Sequence, residues 1–77
     1  MAVGADGSVY VAVWGRGEVT ALDSRGHVAK RIKTAGNLPS NIAFGPNDEK
    51  AIYVTERERG VVERFDIPTS GCPMYLG

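Results

Sequence analysis

The 77-residue chain has one cysteine and one histidine. With Cys72 alone, no internal disulfide and no cysteine-based zinc cluster can form. With His27 alone there is no two-histidine metal motif, and its place directly after Gly26 reads as a surface turn. Charge of one sign is also missing: nine basic and nine acidic residues cancel. That balance removes the electrostatic case for a nucleic acid or an anionic membrane as partner. The one basic cluster, Lys30, Arg31 and Lys33, reads as a solvated strand edge. Long apolar runs are absent too. The longest, Val9 to Trp14, is far below the roughly 20 residues that cross a bilayer. No charged segment followed by an apolar stretch opens the chain, so no signal peptide is visible. With the cysteine usage, this makes the cytoplasm the expected location.

Catalytic signatures are equally scarce. There is no Gly-x-Ser-x-Gly elbow, so a serine hydrolase triad has no support. Gly15-Arg16-Gly17 joins two strand-like segments instead of opening a helix, and a phosphate-binding loop fails on that context. Helical periodicity never holds for three turns, and ten glycines argue against it.

What the chain does have is a repeat. Met1-Ala2-Val3-Gly4 recurs as Ile42-Ala43-Phe44-Gly45 at an offset of 41, and Val9-Tyr10-Val11-Ala12 recurs as Ile52-Tyr53-Val54-Thr55 at 43. Gly17 through Asp23 then matches Gly60 through Asp66, still at 43, and the difference is a longer turn at Pro46-Asn47-Asp48. A period near 40 residues built of short β-like segments is the signature of a β-propeller blade. The fold expected is therefore all-β: a partial propeller of two antiparallel, four-stranded-type blades. The first covers about 1–36, and the second covers about 37–77 and is incomplete.

In the first unit the strand-like segments are Met1–Gly4, Val9–Trp14, Val19–Leu22 and Val28–Lys33. Val9–Trp14 reads as a strand buried on both faces, and Val19–Leu22 as one nearer the surface. In the last, Val28 and Ile32 are expected to point inward. Lysines on that segment suit an exposed outer edge. Asp6-Gly7, Gly15-Arg16-Gly17 and Asp23-Ser24-Arg25-Gly26 supply the hairpin turns. The second unit repeats three segments, 41–45, 51–55 and 61–66, and Met74-Tyr75-Leu76 supplies at best a stub of a fourth. Tyr10, Val11, Trp14, Phe44, Ile52, Tyr53 and Val54 are expected to form much of the core. Asp23 and Asp66 recur at one repeat position, which points to turn capping. Glu56, Arg57, Glu58 and Arg59 alternate in charge and read as a solvated loop. Ser40 and Asn41 stand where the chain enters an inner strand, the end of a propeller that faces the channel mouth. They are the substrate-pocket candidates, and no residue is assigned as catalytic or as a metal ligand.

The stretch Met1 through Ala12, then Gly17 to Asp23 and Gly26, resembles the gluconolactonase and regucalcin (senescence marker protein) family. Pro39-Ser40-Asn41-Ile42-Ala43-Phe44-Gly45 followed by Ile52-Tyr53-Val54-Thr55 is the more specific match, and Gly71-Cys72-Pro73-Met74-Tyr75 is similar to that family's C-terminal end. The resemblance implies a six-bladed parent with one divalent cation, often calcium, held by a Glu, an Asn and an Asp. None of these ligands maps onto a residue here. The family's Asp belongs to an Asp-Gly pair just before the segment matched by Met1-Ala2-Val3, and its slot in the second unit is Ser40. The resemblance thus implies the C-terminal two blades of a metal-dependent lactone hydrolase, silent by itself, with a small lactone as the parent's substrate. The alternatives are a non-enzymatic propeller module for binding or assembly, and a truncated gene product without activity. Units of this kind bury apolar faces against neighbours, so self-association through exposed blade faces is expected.

Overall fold

Turn residues at close intervals leave segments too short for helices, and the apolar or alternating stretches between them become strands. The computed structural model describes residues 1–71, with seven strands and no helix among them. Strands β1 (Ala2–Val3), β2 (Val9–Val13), β3 (Glu18–Leu22) and β4 (Val28–Lys33) form one antiparallel sheet in that order. Strands β5 (Pro39–Phe44), β6 (Ala51–Glu56) and β7 (Val61–Asp66) form a second. These are the two adjacent meanders that the repeat predicts. The stub expected at Met74-Tyr75-Leu76 lies outside the described residues.

The turns follow their residue chemistry. Asp23 Oδ1 accepts hydrogen bonds from the N–H groups of Arg25 and His27, both at 2.9 Å, and Gly26 takes the left-handed backbone (φ 85°) that closes the hairpin. Asp23 therefore caps its turn. Asp66 does not: its carboxylate is taken by Arg64 Nη1 at 2.5 Å.

The core lies between the two sheets. Tyr10, Val19, Ala21, Ile52, Val54 and Ile67 are buried together, with Ile32, Ile42, Phe44 and Phe65 packed against them. The Tyr10 and Phe44 rings meet edge to face, with centroids 5.8 Å apart. Of the core expected from sequence, Tyr10, Ile52 and Val54 are buried and Phe44 packs on them. Val11 and Tyr53 are half-buried, on faces turned away. Trp14 is 56% exposed, because β2 ends at Val13 and the indole stands in the hairpin loop. Val28 is 48% exposed, because the register shift opposite Ala21 and Leu22 pairs it with Leu22 and turns it onto the outward face, away from that of Ile32. The third segment is not the surface strand expected. It is interior to its sheet, and alternation turns Val19 and Ala21 into the core shared with Ile52 and Val54 while Thr20 faces away. Nor is β2 buried on both faces: only Tyr10 is fully enclosed.

The outward faces differ. On the first sheet the register places Val3, Val9, Leu22 and Val28 on one face, continued by Val11 and Val13. On the second it places Ala43, Tyr53 and Arg64 in one row, and Asn41, Thr55 and Val62 in the next.

The segment joining the sheets is fixed by carboxylates of the second. Glu56, read from sequence as part of a solvated loop, closes β6 and is 1% exposed. Its Oε2 accepts from the N–H groups of Leu38 (2.9 Å) and Glu58 (3.0 Å), and its Oε1 from that of Arg59 (2.7 Å). Glu58 accepts from Asn37 N–H, and both oxygens of Glu63 from Ala35 N–H, each at 3.0 Å. On the other side, Thr34 N–H donates to Gly17 and Gly15 N–H donates to Asn37. Gly36 has no room for a Cβ, which would collide with the Glu56 carboxylate. At the opposite end the chain leaves β7 and returns to β1, where Ala5 N–H donates to the Ser70 carbonyl and Gly4 bridges Gly71.

Burial raises the Glu56 carboxyl, but its three backbone donors and the Arg59 charge outweigh that and hold it below the usual carboxylate range. A depressed native pKa contributes stability above the unfolded value, about 4.3, and that contribution is lost as pH falls through the native one. Glu56→Gln should therefore lower the thermal midpoint by roughly 5–15 °C at pH 7. The gap to the wild type should close toward pH 3, as followed by circular dichroism. An equal gap at both pH values would refute this account of Glu56. In the core, Ile52→Ala should cost about 2–5 kcal/mol and Ile52→Val about 1 kcal/mol in denaturant unfolding, because Ile52 has no exposed surface.

Candidate functional site

The candidate residues stand at the start of β5, at the end of the sheets that also holds the crossover 34–38 and the loop after β6. The β5–β6 register shifts between Pro39 and Asn41, so Ser40 sits in a β-bulge. Bulges break the ladder locally and re-aim a side chain. The Ser40 hydroxyl is half-buried and lies 2.9 Å from Thr55 Oγ1. Asn41 is exposed, and its N–H donates to the same Thr55 oxygen at 3.1 Å. The structure thus brings Ser40 and Asn41 together around Thr55.

Thr55 was not singled out from the sequence, though a signal existed. In the repeat it replaces Ala12, so a hydroxyl stands where the first unit has a methyl group. This group of hydroxyls and an amide can donate and accept hydrogen bonds to a polar ligand. It cannot activate a nucleophile, because Ser40 Oγ contacts Thr55 Oγ1 and the Thr55 carbonyl and neither is a base. His27 lies in the turn at the other end, exposed, with its Nδ1 3.9 Å from Asp23 Oδ2.

Two bonded hydroxyls and an exposed amide are also not the carboxylate-rich oxygen set that a hard divalent cation takes. Among the described residues no group of three or more His, Cys, Asp or Glu is gathered closely enough to hold a metal ion. The residues present do not fit the cation that the resemblance implies.

Two cavities open elsewhere. One, of about 420 Å³, lies between β3–β4 and the segment after β7, with Tyr10, Ala21 and Ile67 among its walls. A second, more open one of about 890 Å³ runs along the inner strands past Val3 and Phe44. Neither includes Ser40 or Asn41.

A different polar cluster sits on the outward face of the second sheet. Arg64 donates through Nε to Glu49 Oε2 (3.1 Å) and through Nη1 to Asp66, and the Tyr53 hydroxyl donates to Glu49 at 3.0–3.1 Å. The hydrogen bonds to Asp66 and then Glu49 hold the guanidinium well above its ordinary pKa, so it stays charged.

Comparison with known proteins agrees with this architecture. Residues 1–58 match the family described as the SMP-30/Gluconolactonase/LRE-like region. A diisopropyl-fluorophosphatase from Loligo vulgaris is 34% identical over 71 residues, which is 91% of this chain. The chain spans about a fifth (22%) of that relative's length. The match covers both meanders up to the loop after β6, so two sheets packed face to face are here two blades of a partial β-propeller. The chain belongs to the SMP-30/gluconolactonase/LRE-like family.

Proposed function

We propose that this chain supplies two blades of a hydrolase for lactones or related activated esters, and that it turns over no such substrate alone. The observation that carries this reading is the composition of the strand-start end. Ser40, Asn41 and Thr55 form a hydrogen-bonding lip with no base, no nucleophile–base pair and no carboxylate among its members. Such a lip orients a polar substrate without cleaving it. The family is described by a gluconolactonase, and the Loligo vulgaris relative is named for a fluorophosphate ester, so the substrate class proposed is an electrophilic ester. A divalent cation serving that chemistry would need ligands from outside the described residues, which gather no group of three.

A second reading, a non-enzymatic module for assembly, is favoured by the outward face of the first sheet. Val3, Val9, Val11, Val13, Leu22 and Val28 make the inner-strand part of that face apolar, while Glu18, Thr20, Arg31 and Lys33 make its far corner polar, and exposed apolar patches of several hundred Å² drive association. The two readings are compatible, because blades that belong to a ring must pack on neighbours.

The purified chain should hydrolyse gluconolactone at the uncatalysed rate and show no calcium binding tighter than about millimolar by calorimetry. Turnover above background, or micromolar calcium affinity, would sink the reading. By light scattering the chain should be larger than a monomer, and Val11→Lys should shift it toward monomer. A monodisperse wild-type monomer with a cooperative melt would remove the assembly argument.

A further inference from the structure

The repeat relates two clusters that look unalike. At the offset of 43, Glu49, Tyr53, Arg64 and Asp66 correspond to Asp6, Tyr10, Ala21 and Asp23. The register agrees, since Tyr53 stands opposite Arg64 and Tyr10 opposite Ala21. In the second blade the guanidinium bridges the two carboxylates beside the tyrosine hydroxyl. In the first blade both carboxylates and the tyrosine are present, and the position of the arginine holds an alanine. There the structure has the cavity of about 420 Å³, lined by Asp6, Tyr10, Ala21 and Asp23.

We propose that this cavity binds a guanidinium cation carrying a short apolar tail, in the space that an arginine side chain fills in the other blade. Tyr10 is a second and independent indication. It is 3% exposed, and its hydroxyl has no hydrogen-bond partner among the described residues, whereas that of Tyr53 is bonded to Glu49. Among the described residues no enclosed side-chain polar atom lacks a partner, so the Tyr10 hydroxyl reaches accessible space, and the cavity that Tyr10 lines is this one.

The wall chemistry selects the ligand further. Ile32, Ile67 and Pro68 accept an alkyl tail, and the volume falls in the range of about 300–1,000 Å³ typical of small-ligand sites. Asp66 also lines the rim, but Arg64 already holds its carboxylate, which leaves Asp6 and Asp23 to meet a cation, with Lys30 the one cationic side chain in the lining. Lys30 makes no ion pair with a carboxylate among the described residues. Among the described residues these carboxylates do not gather into a group of three that could hold a metal ion. A planar cation with five donors suits separated carboxylates, as an ammonium or a metal does not. The cavity opens among the turns at 6–7 and 23–26, the end of the blades opposite Ser40 and Asn41. It is therefore distinct from the lip described above, and it does not depend on the function proposed there.

The test uses the full chain labelled with ¹⁵N and titrated with butylguanidinium, with butylammonium as the control. The expected result is saturable shifts at Tyr10, Ala21, Asp23 and Ile67, with butylammonium binding at least about tenfold more weakly. Asp23→Asn keeps an oxygen for the turn and should weaken binding by about tenfold. Ala21→Arg should abolish binding and raise the thermal midpoint by supplying the missing guanidinium in cis. If that variant does not fold, the Asp23→Asn comparison decides alone. Blocked arginine amide, as a further arm, separates a peptide side chain from a free small molecule as the source. Tighter binding of either one carries the assignment. Absence of saturable shifts, equal affinity for the ammonium, or indifference to Asp23→Asn overturns it.

Discussion

The Glu56 carboxylate joins the two blades. It is fully enclosed, and its partners are backbone N–H groups from two places: Leu38 in the crossover and Glu58 and Arg59 in the loop after β6. Without it, three N–H donors at the junction of the two sheets lose their acceptor. Glu58 and Glu63 extend the same device along the crossover, so a strap with no strand of its own is held by side chains together with a few backbone bonds to Gly15, Gly17 and Arg57. The geometry leaves little tolerance, because a Cβ at Gly36 would push the carboxylate away from its three donors.

The outlines of this fold were legible in the sequence because repetition is a strong signal. Two copies of one pattern, punctuated by Asp6-Gly7, Asp23 to Gly26 and Gly60, fix the number of strands and their turns. Side-chain destinations were less legible. Glu56 looks like the first member of a charge-alternating loop, and only the three-dimensional return of Leu38 gives it a buried role. Trp14 ends an apolar run, yet one residue decides whether an aromatic belongs to the strand or to the loop that follows. Val19 and Ala21 sit in a segment of mixed polarity, which alternation resolves once they share a core with Ile52 and Val54. At the candidate site Ser40 and Asn41 were visible from their place in the chain. The bulge that re-aims Ser40, and the role of Thr55, depend on register and were not.

Divergence between the two blades is also informative. Equivalent positions in a repeat start with the same neighbours, so a difference between them reports a difference in use. Val13 and Glu56 are one such pair, apolar in one blade and the anchor of the crossover in the other. Ala21 and Arg64 are another, an open cavity in one and a charged bridge in the other. The faces follow the same logic: the first blade turns valines outward, and the second turns outward a neutralised network with Val62 beside it.

The strap between Thr34 and Leu38 carries a consequence for how the chain is made. Synthesis delivers residues 35, 37 and 38 well before the glutamates at 56, 58 and 63 that receive their N–H groups. A nascent chain that ends inside β6 thus holds a first meander whose exit is tied to its own sheet alone, through Thr34 N–H to Gly17 and Gly15 N–H to Asn37. The remaining ties arrive in order: Glu56 and Glu58 as β6 ends and its turn forms, then Glu63 with β7. The exit from the first blade is in this sense secured by the second.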